Sequence, residues 1–142
     1  MNNLPLFLIP IIVGLATQII KYLVDFSQKK FEWQLPAYGG MPSAHTSFAF
    51  SIATLVAIYE GFDSVLFAVT IVIVIYILDD ALRLRVFLGN HGFVLNKLLS
   101  RLPQEERNDI PHIEERLGHK WIEVIVGAIL GIILTIFLDK IF

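Results

Sequence analysis

The sequence predicts an all-α protein, a polytopic membrane helical bundle of about four transmembrane helices with one interfacial amphipathic helix. Three observations predict it. The 142 residues are 56% hydrophobic. The apolar residues fall into four blocks, near the length of about 20 residues that crosses a bilayer. The basic residues gather in the connections on one side of these blocks. A chain of this length allows a single domain, residues 1–142.

Each of the four blocks is predicted to be a transmembrane helix. The first contains Pro10, which predicts a kink. The second is polar for a lipid-facing helix, so we expect it to be buried among the others. The third would suit a buried strand in a soluble protein, but helix is favoured beside three helical spans. In the fourth, Gly127 and Gly131 predict close helix packing. The blocks are residues 4–24, 45–59, 65–78 and 121–138.

The connection between the third and fourth blocks is long and predicts two further helices. Residues 93–102 place apolar side chains on one helical face and polar ones on the other, which is typical of a helix lying in the membrane interface. Residues 108–118 predict a short capped helix, with Pro111 in its first turn and Gly118 after its last.

The basic residues predict the orientation of the chain. Of the eleven Lys and Arg residues, only Lys140 falls on the other side of the predicted membrane. The positive-inside rule makes the basic side cytoplasmic and puts both termini outside. We expect an integral protein of a bacterial plasma membrane. The net charge of −2 argues against nucleic acid as a partner, and the lack of cysteine excludes disulfides and thiolate metal sites.

The predicted topology brings polar segments together at the cytoplasmic end. "GGMPSAH" (39–45) precedes the second helix, "DDALRLR" (79–85) ends the third, and "GHKWIE" (118–123) begins the fourth. Lys21 lies near the same end of the first helix. Because charges at membrane depth are costly and usually face a functional cavity, these segments predict one site.

The residue types of this site suit phosphate chemistry. A helix N-terminus beside glycines binds anions through backbone amides. His45 and His119 can act as acid and nucleophile. Glu123 lies four residues after His119, on the same helical face, where it can hold the second ring nitrogen. Asp79 and Asp80 suit either a site role or the interface at the end of a span. The expected phosphate-binding residues are Lys21, Gly39, Gly40, Ser43, Arg83 and Arg85.

"PSAH" (42–45), followed by "GHKWIEVIVGAILG" (118–131), resembles the type-2 phosphatidic acid phosphatase superfamily of lipid phosphatases and vanadium haloperoxidases. With "GGM" and the D-A-x-x-x-R segment, the chain is most similar to the small divergent branch of that superfamily. The resemblance implies hydrolysis of a phosphorylated lipid through a phosphohistidine, without a metal or other cofactor. It implies that His119 attacks, that Glu123 orients it, and that His45 assists the leaving group.

The chain departs from the superfamily pattern at several positions. Ala44 stands for a glycine and Glu123 for an aspartate. Two arginines of the pattern are replaced, one by Gln28 and the other by Ile113. Arg83 and Arg85, from another helix, are expected to substitute for them.

Two other functions agree with the same residues. One is a non-catalytic lipid-phosphate binding protein or flippase that uses the same anion site. The other is a metal-dependent enzyme built on Asp79, Asp80 and the histidines. The expected partners are a phosphorylated lipid and the surrounding membrane lipids, and the sequence leaves open a homo-oligomer.

Overall fold

The computed structural model describes residues 5–27, 40–108, 110–115 and 117–142, and this part of the chain contains helices and no strand. The helices are α1 (Leu8–Ser27), α2 (Ala44–Tyr59), α3 (Val65–Asp79), α4 (Arg85–Leu99), α5 (Gln104–Arg107) and α6 (Trp121–Ile141). A π-helical turn, Asp80–Leu84, joins α3 to α4 without a break, and the fold is the predicted helical membrane bundle.

Three helical stretches among the described residues are long and apolar enough to cross a membrane. They are α1, the continuous 35-residue helix Val65–Leu99, and α6. The second block forms a shorter apolar helix of 16 residues, α2. At 1.5 Å per residue α2 is about 24 Å long, below the roughly 30 Å of hydrocarbon core.

The short helix α2 lies at the centre of the bundle, as its polar composition predicted. It runs parallel to α6, with small residues where the two helices meet. A Cβ on Gly127 would lie 2.5 Å from the Ser43 carbonyl oxygen, and one on Gly131 would overlap the Ser47 carbonyl. The prediction that these glycines allow close packing is therefore confirmed.

Hydroxyl groups join the central helix to its neighbours on both sides. Thr135 Oγ1 of α6 donates to Ser51 Oγ at 2.6 Å, and Thr17 of α1 bonds Ser47 at 2.8 Å. All four side chains are fully buried. Since buried hydroxyls are stable only when they are hydrogen-bonded, these pairs set the register of the three helices.

Two local predictions need correction, and the kink predicted at Pro10 stays a prediction. Pro10 lies in the first turn of α1, where a backbone N–H has no acceptor within the helix, so it removes no intrahelical hydrogen bond there. Residues 93–102 are helical as far as Leu99 but continue α3 and α4 rather than forming a separate helix. The short helix predicted over residues 108–118 is absent from the described residues 110–115, and the one-turn helix lies earlier, as α5.

Candidate active site

A cavity of about 360 Å³ lies at the end of the bundle where α2 and α6 begin and α3 passes into α4. Polar and apolar residues line different parts of its wall. Two histidines, one aspartate and one arginine provide the polar groups, and the C-terminal half of α3 provides the apolar side. The lining residues are His45, Ile73, Tyr76, Ile77, Asp80, Ala81, Arg85 and His119.

His119 is held firmly in this wall by the first turn of α6. Its Nδ1 lies 3.0 Å from Glu123 Oε2, and the two side chains are 5% and 14% exposed. The same oxygen accepts the Lys120 backbone N–H at 3.1 Å. A carboxylate can only accept, so a neutral His119 carries its proton on Nδ1 and leaves the lone pair on Nε2.

The backbone N–H of His119 is held by the π-helical turn. Arg85 N–H donates to the Asp80 carbonyl, five residues back, rather than to the Ala81 carbonyl four residues back. The Ala81 carbonyl is therefore left without its usual helical partner and accepts the His119 N–H at 3.0 Å. A π-helical turn inside an α-helix often marks a functional site.

His45 occupies the first turn of α2, two residues after the capping residue Ser43. Its ring lines the cavity together with His119 and interacts electrostatically with Arg85 and Asp80. The structure thus brings the two histidines of the sequence motifs to one cavity, although they lie 74 positions apart in the chain (119 minus 45).

The two predicted arginines have different environments. Arg85 lines the cavity and donates from Nε to Asp80 Oδ2 at 2.6 Å. Arg83 pairs with Asp79 at 3.1 Å, its side chain is 72% exposed, and neither residue lines the cavity. The structure therefore brings Arg85 to the cavity but not Arg83, because two residues along a helix point in nearly opposite directions.

The residues before α2 that were predicted to bind phosphate do not line the cavity where the structure describes them. Ser43 is fully buried, its N–H donates to the Glu123 carbonyl, and its hydroxyl accepts from Thr46. It therefore joins α2 to α6 and is not one of the residues that line the cavity. Gly40 has a φ of +90° and does not line the cavity. Gly39 lies outside the described residues.

Lys21 is not one of the residues that line the cavity. It is buried beside Gly40 and interacts electrostatically with the carboxylates of Asp25 and Glu123. Lys21, which the sequence predicted to bind phosphate, thus interacts with Glu123 and is absent from the cavity wall. Among the described residues, no three His, Cys, Asp or Glu side chains are grouped as metal ligands would be.

Sequence reasoning missed two parts of the site. The carbonyl of Ala81 has no sequence signal, because the π-helical turn that exposes it leaves the apolar pattern unchanged. The apolar wall formed by Ile73, Tyr76 and Ile77 was visible only as part of a transmembrane block. Their positions, i, i+3 and i+4, share one helical face and could have indicated a common surface.

Fold and site together define a helical membrane protein with a cavity that carries two histidines, one of them held by a glutamate. Comparison with known proteins then identifies its relatives. The Divergent PAP2 family matches residues 1–134, and the chain belongs to that family. It is 34% identical to "Uncharacterized membrane protein YuiD" of Bacillus subtilis (strain 168), covering 94% of this chain and 95% of that protein. No solved structure gives a significant match.

Proposed function

We propose that this protein hydrolyses a phosphate monoester or pyrophosphate carried by a lipid, through a phosphohistidine formed on His119. One observation carries the proposal: two histidines line one cavity, and His119 is held at Nδ1 by a carboxylate. Membership in the Divergent PAP2 family supports a phosphatase-like relationship.

The proposed reaction has two steps. In the first, the lone pair on His119 Nε2 attacks phosphorus and forms an N–P bond while the P–O bond to the lipid breaks. Protonated His45 gives its proton to the departing lipid oxygen. In the second, water attacks phosphorus, His45 takes the proton of that water, and the N–P bond breaks to release inorganic phosphate. Arg85 neutralises charge on the phosphoryl oxygens throughout.

The shape of the cavity supports a lipid as the carrier of the phosphate. Its apolar wall belongs to the membrane-spanning part of α3, where Ile73 and Tyr76 are 51% and 72% exposed. Exposed side chains of a spanning helix face the lipid chains. A phosphorylated head group would enter beside His45 and His119 while its hydrocarbon stays in the bilayer.

We also propose that the cavity faces the cytoplasm of a bacterial cell and that both termini lie outside. The asymmetry of the basic residues supports this orientation. The helix Val65–Leu99 has 35 residues and extends about 52 Å, well beyond a hydrocarbon core of roughly 30 Å, so part of it projects from the membrane. The part of this helix that exceeds the membrane carries the basic connection.

A lipid-phosphate binding protein or flippase is the second candidate, and the charge of the cavity favours it. Of the described residues, Arg85 is the only arginine that lines the cavity, and it is already paired with Asp80. One neutralised arginine stabilises a phosphoryl transition state less than the several positive groups of a strong phosphatase site.

The deciding experiment measures phosphate release by the purified protein in detergent. Phosphatidic acid and farnesyl pyrophosphate serve as substrates, each with and without EDTA. We expect release from at least one substrate, insensitive to EDTA, abolished by His119→Ala and unchanged by the control His91→Ala, since His91 is exposed outside the cavity. Tight binding without release would refute hydrolysis in favour of the second candidate. Activity lost with EDTA would show metal dependence.

A further inference from the structure

An extended segment delivers His119 to the cavity. We call residues 110–118 the strap; Arg116 within it is not described. The described strap residues form no helix or strand of their own. Their position therefore depends on their contacts, which are made with one face of α4.

Asn96 of α4 binds the strap near its beginning. Its Oδ1 accepts the Ile113 N–H at 3.1 Å, and its Nδ2 donates to the Ile113 carbonyl at 2.8 Å. The same Nδ2 donates to Glu115 Oε1 at 2.7 Å. The Asn96 side chain thus bonds both the N–H and the carbonyl of Ile113, as a paired β-strand would. These two hydrogen bonds fix the register of the strap on α4.

Two glycines on the same face of α4 let the strap lie against bare helix backbone. Gly89, Gly92 and Asn96 follow an i, i+3, i+7 spacing. A Cβ on Gly92 would lie 2.6 Å from the Glu114 carbonyl oxygen, and one on Gly89 would overlap the Glu115 carbonyl. Any larger side chain at either position would push the strap away from the helix.

The strap ends at the catalytic cavity. Gly118 has a φ of +95°, and a Cβ there would lie 2.7 Å from Val86 Cγ2. The next residue, His119, then donates its N–H to the carbonyl of Ala81 in the π-helical turn. The contacts of the strap therefore run along α4 from Asn96 and end at Ala81 in the adjoining π-helical turn.

We propose that Asn96 is a positioning residue, which fixes the register of the strap and through it the place of the His119 ring in the cavity. The catalytic part of this inference rests on the proposed function. Without Asn96, the beginning of the strap loses its bonds to α4 and His119 loses part of its support. A displacement of about 1 Å at a reacting group is enough to reduce turnover by roughly 10²-fold.

Asn96→Asp is the sharpest test, because it keeps the size of the side chain and removes its donor. The new carboxylate faces the Ile113 carbonyl and the Glu115 carboxylate, and both repel it. Asn108→Asp is the matched control, since Asn108 is exposed and lies outside the strap. Hydrogen exchange across residues 110–120 and the kcat and KM for phosphatidic acid are measured on the whole protein in detergent.

We expect faster exchange at the His119 amide in Asn96→Asp and a kcat lower by about 10²-fold. KM should change little, because α2 and α3 still form the rest of the cavity. Gly92→Ala should also speed exchange at the His119 amide and lower kcat, because the added methyl group would push the strap away from α4. Its control is Gly14→Ala, a helical glycine whose added Cβ would meet Phe48 at an ordinary 3.4 Å.

The outcomes separate this inference from the proposed function. If exchange at His119 stays at the wild-type rate in both Asn96→Asp and Gly92→Ala, the inference is wrong. Faster exchange with unchanged kcat also overturns it, since the ring would then not need the strap. If the wild type releases no phosphate but exchange at His119 rises in both variants, the proposed function fails while the positioning of His119 by Asn96 is supported.

Discussion

Replacement of Glu123 by glutamine tests how the His119 ring is held. Glu123 Oε2 accepts two hydrogen bonds, one from His119 Nδ1 at 3.0 Å and one from the Lys120 N–H at 3.1 Å. A backbone N–H can only donate, so a glutamine would turn its oxygen to this position and its NH₂ group away. The ring would keep its tautomer and place, and only the carboxylate charge would be lost.

The size of the effect follows from this geometry. A hydrogen bond to a charged group contributes about 1.5–3 kcal/mol and a neutral one about 0.5–1.5 kcal/mol. The difference, about 1–1.5 kcal/mol, corresponds to a fall in kcat of roughly 5- to 13-fold. Glu123→Ala instead leaves both donors unpaired and the ring free. Its loss should approach the roughly 10⁴-fold seen when a catalytic histidine loses its tautomer.

The assay is the initial rate of phosphate release in detergent, with the wild type and both Glu123 variants compared at saturating lipid. Glu60→Gln is the control, because Glu60 is exposed at the opposite end of α2. A glutamine variant as inactive as the alanine variant would refute the reasoning. The oxygen shared by His119 and Lys120 would then not be what holds the ring.

Three further predictions concern packing, charge and orientation. Gly127→Ala should lower the melting temperature in detergent, because overpacking against the backbone of α2 costs about 1–3 kcal/mol; an unchanged melting curve would contradict the close contact. Arg85→Ala should remove about 2–4 kcal/mol of transition-state stabilisation, measured as kcat/KM, whereas Arg83→Ala should have little effect. Equal losses would show that both arginines reach the substrate. Single cysteines at Asn108 and Asp63, in a chain without other cysteines, should react with an impermeant maleimide from opposite sides of intact cells. Labelling of the cysteine at Asn108 from outside would show that the orientation is the reverse of the one proposed.

Much of the fold followed from local pattern. The apolar blocks predicted the helices, and the polar composition of the second block predicted that α2 lies inside the bundle. The four-residue spacing of His119 and Glu123 predicted their contact, because residues i and i+4 share a helical face. These features depend on hydrophobicity and helical periodicity, both of which can be read along the chain.

The directions of individual polar side chains could not be read in the same way. An α-helix turns about 100° per residue, so which of Arg83 and Arg85 faces the cavity depends on the register around the helix. The π-helical turn changes that register, and it has no sequence signature. Lys21 was likewise at the expected end of its helix, yet it does not line the cavity and instead interacts with Asp25 and Glu123.

The sequence by itself determined that this chain is a helical membrane bundle and that two histidine motifs lie at one end of it. Only the tertiary structure decided how His119 is held there, because its support comes from partners distant along the chain. The bond from His119 to the Ala81 carbonyl spans 38 residues (119 minus 81), and that from Asn96 to Ile113 spans 17. Such contacts form when extended backbone packs on a helix face left bare by glycine, and no local propensity specifies which segment fills that face.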